Sequence, residues 1–133
     1  MTNHHGVVHF ELVADDPEKL SGFYKDLFGW QIDKMPMEGG EAYYGISTGP
    51  SGEQGPTEPG YIGGGLAKRM SPEQQPMNYV NVEDTDAYIK KAQGLGAQVL
   101  MGKMPVTGMG WIAQLRDPEG NLFGLWQTDM GAK

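Results

Sequence analysis

The sequence predicts an α+β fold made of two tandem modules, each reading strand, helix, strand, strand, strand. Three observations carry this expectation. Short apolar runs are punctuated by turn residues, with Gly 21 and Pro 9 in 133 residues, a composition that favours many short elements over long helices. Two segments, "PEKLSGFYKDLFGW" and "EDTDAYIKKAQGLG", switch to the three-and-four apolar spacing of an amphipathic helix. The halves also share a skeleton of V-x-D, a helix, then G-x-Q-[IV]: Val13, Asp15, Gly29, Gln31 and Ile32 match Val82, Asp84, Gly96, Gln98 and Val99. A repeated supersecondary unit is a direct signal of architecture.

The first module is assigned to residues 7–68, a polar linker to 69–76 and the second module to 77–127, all within one domain. Val7–Val13 alternates as a strand and stops at "ADDP", where Asp16 is placed to cap a helix with Pro17 at its first position. Leu20, Phe23, Tyr24, Leu27 and Phe28 form that helix's expected buried stripe, and Gly29 supplies a left-handed stop. "WQIDKM" and Glu41–Ser47 follow as strands, then "TGPSGEQGPTEPG" as a loop without regular structure. "YIGGGLAKR" reads as a strand in which Gly63, Gly64 and Gly65 imply close approach to the backbone, by a packed neighbour more often than by a ligand.

In the second module "MNYVNV" is a strand. Its helix carries the stripe Ala87, Ile89, Ala92 and Leu95 and ends at Gly94 or Gly96. "AQVLM", "GWIAQLR" and "LFGLWQ" complete the module, the last two joined by a turn on "DPEGN" with Asp117 at its start.

A formal charge of -7, from 17 acidic against 10 basic residues, repels phosphate backbones and anionic membranes, so nucleic acid and membrane surfaces are not expected partners. No apolar run approaches membrane-spanning length and no export signal opens the chain, which makes the cytoplasm the expected location. The absence of cysteine removes disulfides, thiolate metal sites and thiol nucleophiles. His4 and His5 fall at an expectedly frayed, solvent-exposed terminus.

"VVHFELVADDPEKLSGFYKDLFGW" and "DPEGNLFGLW" resemble the opening strand-helix and the closing hairpin of the glyoxalase/bleomycin-resistance/extradiol-dioxygenase family, the vicinal oxygen chelate superfamily. The likeness extends from Val7 to Trp126. It implies paired βαβββ modules forming half-barrel sheets around a concave, ligand-holding cavity, and a homodimer as the usual assembly. Metal-using members draw ligands from four strands. His9 matches the first position, but the other three fall on Met77, on Gly124 and within "YIGGGLAKR", which has no acid or histidine. No metal ligand set is therefore expected and no cofactor is called for, although a divalent ion held by another arrangement stays open.

His9 and Glu11 lie two apart in a strand and so share a face. Three readings stand side by side: a catalytic acid/base pair, a clamp that hydrogen-bonds a guest, or a structural pair that satisfies itself. Met77, Tyr79 and Asn81 are expected opposite Val80 and Val82, facing the ligand together with Leu122, Gly124 and Trp126. "GWIAQLR" contributes either Trp111, Ala113 and Leu115 or Ile112, Gln114 and Arg116. Apolar and aromatic walls with few polar groups suit a small-molecule site. The leading reading is thus a glyoxalase-like protein binding a small organic molecule without the family's usual metal. The alternatives are a metal-dependent lyase or isomerase of the lactoylglutathione type and a drug-sequestering protein like the bleomycin-resistance members. The last is favoured by acidic charge that attracts a cationic guest.

Overall fold

The computed structural model describes residues 4–36, 42–52 and 55–133. Its elements in chain order are β1 (Val7–Ala14), α1 (Pro17–Phe28), β2 (Gln31–Met35), β3 (Tyr43–Ser47), β4 (Ser51–Gly52), β5 (Gly55–Pro56), β6 (Gly63–Lys68), β7 (Met77–Asn81), α2 (Thr85–Gly94), β8 (Gln98–Val106), β9 (Gly110–Arg116) and β10 (Leu122–Thr128). The chain divides into two compact units, one formed by His9–Pro76 and the other by Met77–Lys133 with the segment up to Val8.

In the His9–Pro76 unit the strands run in the order β2-β3-β6-β1, with β1 parallel to β6 and β3 antiparallel to both β6 and β2. In the Met77–Lys133 unit the order β7-β10-β9-β8 repeats the scheme: β7 is parallel to β10, and β9 is antiparallel to both β10 and β8. Each unit is an open mixed sheet with one helix, as the βαβββ pattern requires.

Both helices start where their caps dictate. Asp16 accepts from the Lys19 backbone N–H at 3.1 Å with Pro17 following, and Gly29 closes α1 at φ 71. Asp84 accepts from the Ala87 N–H at 3.1 Å to open α2. These caps correct the sequence alignment of the halves by one residue: Asp16, not Asp15, is the counterpart of Asp84. Counting back from the two caps then pairs Ala14 with Val82, Glu11 with Tyr79 and His9 with Met77.

Each unit has its own core. Ala14, Ile32, Tyr44, Ile46 and Leu66 are packed by Phe10, Leu12, Leu20, Tyr24 and Trp30. Val82, Ala113, Leu115 and Leu125 are packed by Tyr88, Ile89, Ala92, Val99 and Phe123. The expected helix stripes were too wide. In α1 Leu20 and Tyr24 reach the core, Tyr24 stacking on Trp30 at 5.0 Å, whereas Phe23, Leu27 and Phe28 are more than half exposed. In α2 the inward residues are Thr85, Tyr88, Ile89 and Ala92, while Ala87 is exposed and Leu95 lies past the last turn as the C-cap. A four-stranded sheet offers each helix a narrow footprint, and only side chains on its contact line are buried.

Three loop expectations also change. The segment after β3 is not wholly irregular, since β4 and β5 pair as a short ladder; Glu53 and Gln54 lie outside the described residues, as does Glu41, expected in β3. β8 runs on to Val106 with two register shifts, and its Pro105 is tolerated because β8 ends the strand order. His5 is exposed but pinned, its Nδ1 2.9 Å from the Asn81 carbonyl and its Nε2 3.0 Å from the Tyr88 hydroxyl.

Candidate functional site

Alternation along β1 sends Phe10 and Leu12 into the core and His9 and Glu11 to the other face. There the two side chains meet: His9 Nε2 is 2.5 Å from Glu11 Oε2. A third residue completes the cluster. Tyr43, on β3, donates its hydroxyl to the same Oε2 at 2.9 Å, with its oxygen 3.3 Å from His9 Nε2. The carboxylate oxygen accepts from both, so the proton between His9 and Glu11 rides on Nε2 when Glu11 is ionised. The pair is partly sheltered, the side chains being 33% and 16% exposed, so the imidazole is the more accessible group.

Sequence reasoning missed Tyr43, and the signal for it lay in the glycines. Between β1 and β3 runs β6, where Gly65 is in register with Glu11 on one side and Gly45 on the other. A Cβ on Gly65 would sit 1.6 Å from the Tyr43 hydroxyl and 2.9 Å from Glu11 Oε2. Tyr43 crosses the bare backbone of Gly65 to reach Glu11. Its neighbour Gly64 accommodates the Phe10 ring, 2.6 Å from an imagined Cβ. The glycine run thus serves packed neighbours, as expected, but one neighbour belongs to the polar cluster.

The Met77–Lys133 unit uses the same device. Gly124 on β10 lies in register with Tyr79 on β7 and Gln114 on β9; a Cβ there would fall 2.3 Å from the Tyr79 ring. The Tyr79 hydroxyl accepts from Gln114 Nε2 at 2.8 Å across that gap. This settles the parity of β9: Gln114 shares the Tyr79 face, with Ile112 and Arg116 by alternation, while Ala113 and Leu115 enter the core. Met77 and Asn81 follow Tyr79, and Leu122 and Trp126 follow Gly124, onto that face.

Trp111 does not join them. It has the parity of Ala113 and Leu115, donates Nε1–H to Asp129 at 2.9 Å and lies under Lys103, whose Nζ pairs with Asp86 of α2. Its place is on the helix side of its sheet. Asp129 is held below the ordinary carboxyl range, chiefly by the Trp111 N–H.

The metal implied by the resemblance does not fit the His9 cluster. One imidazole and one carboxylate fall short of the three protein ligands usual in catalytic sites, and His9 Nε2 is already spent on Glu11. Among the described residues no group of three or more His, Cys, Asp or Glu side chains is placed to hold an ion. Nor is any described helix long and apolar enough to cross a membrane.

Residues 7–49 match the family model "Bleomycin resistance protein-like N-terminal". The chain is 32% identical over 126 residues to CFP32 of Mycobacterium bovis, which carries a provisional glyoxylase name, covering 90% of this chain and 44% of that protein. It is 25% identical over 134 residues to the anthracycline biosynthesis protein DnrV of Streptomyces peucetius, covering 89% of this chain and 45% of that one. The chain therefore spans about half the length of the curated relatives it matches. A solved structure of methylmalonyl-CoA epimerase from Mycobacterium tuberculosis superposes with a TM-score of 0.66 at 15% identity, covering 93% and 88% of the two chains. A hypothetical protein from Bacillus halodurans gives 0.68 at 13% identity, covering 98% and 99%; both show a shared fold. Repeated βαβββ units, the family model over residues 7–49 and the named relatives all support the glyoxalase/bleomycin-resistance superfamily, and the solved structures share this fold.

Proposed function

We propose that this protein binds a small organic molecule at the His9–Glu11–Tyr43 cluster and holds it by hydrogen bonds, without the superfamily's usual metal ion. The observation that carries this reading is the convergence of an imidazole and a phenol on one carboxylate oxygen, at 2.5 and 2.9 Å, on the sheet face away from the core. Such a cluster orients a guest through charge-assisted bonds, with Glu11 accepting and the accessible His9 edge meeting the incoming molecule. A donor set of this kind grips polar ligand atoms better than a divalent ion.

Metal analysis of purified protein, before and after incubation with nickel, zinc, manganese and iron, tests the metal-free part. We expect far less than one ion per chain; near-stoichiometric metal that disappears in His9→Ala overturns it. Thermal shift with an anthracycline, S-lactoylglutathione and methylmalonyl-CoA as probes tests the binding part. A stabilising probe lost in Glu11→Gln supports the site, and stabilisation that survives Glu11→Gln removes the cluster from the binding role.

A second reading, sequestration of a cationic drug, is favoured by the net charge of -7 and by the names of the matching model and the Streptomyces relative. Recovery of an anthracycline probe chemically unchanged, with binding weakened by salt, is its expected signature. Conversion of the probe points instead to the His9–Glu11 pair moving a proton.

A further inference from the structure

β3 carries two consecutive tyrosines, and only the first belongs to the His9 cluster. Tyr44 turns the other way, into the helix-side core, where it is 7% exposed. Its hydroxyl makes no hydrogen bond to any described residue. A sealed, unpartnered hydroxyl costs about 1–3 kcal/mol, yet among the described residues no side-chain nitrogen or oxygen is both sealed and unpartnered. The hydroxyl of Tyr44 therefore reaches outward. It opens on a cleft of about 420 Å³ lined by Asp15, Asp16, Glu18, Lys34, Tyr44 and Lys68, with Pro17 and Ala42 between them.

Charges in this cleft are sorted by element. Lys34 on β2 is in register with Tyr44, and Tyr44 with Leu66 on β6. Lys68, two residues beyond Leu66, shares its face, so two ammonium-bearing chains flank the phenol. The carboxylates come from the turn into α1 and its first residues: Asp15, whose Oδ1 also accepts from Arg69 Nε at 3.2 Å, Asp16 and Glu18. Asp16 is committed to its cap, and Pro17 has no N–H, so this helix end has little to offer an anion. Lys68 touches the Asp15 carbonyl at 3.4 Å, a long contact that a better acceptor displaces.

We propose that this cleft is a second ligand site, for a small zwitterion of the amino-acid type, whose carboxylate takes the Tyr44 hydroxyl with Lys34 and Lys68 and whose ammonium faces Asp15 and Glu18. Walls of opposite sign discriminate against simple anions and simple cations, each of which meets like charge on one side. The volume lies at the lower end of small-molecule sites. The site is independent of the His9 cluster, which lies on the other face of the same sheet.

Amide chemical shifts of the labelled chain, titrated separately with the twenty common L-amino acids, acetate and methylammonium, test this. We expect at least one amino acid to give saturable shifts at Lys34, Tyr44 and Lys68 with millimolar affinity. Tyr44→Phe, which keeps the packed ring, and Lys34→Gln each weaken it about tenfold. No saturable shift at these residues with any amino acid up to about 100 mM, equal affinity for acetate alone, or unchanged binding by Tyr44→Phe overturns the proposal.

Discussion

The two units solve one packing problem with different chemistry. In each, a glycine on the strand next to β1 or β7 lets a tyrosine cross the backbone to a polar partner: Tyr43 over Gly65 to Glu11, and Tyr79 over Gly124 to Gln114. Counting from the helix caps, Glu11 and Tyr79 are equivalent positions. The His9–Pro76 unit fills its position with a carboxylate and adds an imidazole; the Met77–Lys133 unit fills it with a phenol 4% exposed and adds an amide. The repeat has kept the geometry that brings polar groups together and changed whether they ionise. An imidazole–carboxylate pair accordingly sits in one unit, and a neutral, buried counterpart in the other.

The largest way to probe this comparison is through the cores that hold both crossings. Leu66 and Leu115 are each 0% exposed. Leu66→Ala and Leu115→Ala should each cost about 3 kcal/mol in urea denaturation, and a loss below about 1 kcal/mol in either would show that core to be loosely packed. The glycines come next and should separate the units. Gly124→Ala drives a methyl into the ring of buried Tyr79, for about 2 kcal/mol. Gly65→Ala meets the far ends of the Tyr43 and Glu11 side chains, which can swing aside, for about 1 kcal/mol, while detaching Tyr43 from Glu11. Equal costs would break the distinction between a structural and an adaptable crossing.

Tyr43→Phe removes one bond to Glu11 and should cost about 1 kcal/mol or less, with the larger readout in ligand binding. Tyr79→Phe leaves the Gln114 amide without its acceptor and should cost about 1–2 kcal/mol with no change in ligand affinity.

Acid should act at the "DPEGN" turn of the Met77–Lys133 unit. Asp117 is held below the ordinary carboxyl value of 3.8, first by the Asn121 backbone N–H and then by the Asn121 side chain. The depressed folded-state value means the unfolded chain binds more protons, so this contribution is complete above 3.8 and fades as pH falls through the folded-state value. Asp117→Asn should flatten the stability profile below about pH 4, and an unchanged acid limb would remove the turn from the account.

The sequence alone determined the βαβββ repeat, the Asp16 cap, the "DPEGN" turn and the order of the elements apart from the short β4–β5 ladder, because those depend on residues a few positions apart along the chain. It also placed His9 and Glu11 on one face, through strand periodicity. Tertiary structure decided the rest. The register of β6 against β1 and β3 brought Tyr43 across Gly65 from 32 residues away, and the pairing of β9 with β10 assigned Gln114 to the Tyr79 face and Trp111 to the helix side. How much of each helix was buried depended on the width of the sheet beneath it. Local spacing fixes where a side chain points, but only strand register fixes what it meets.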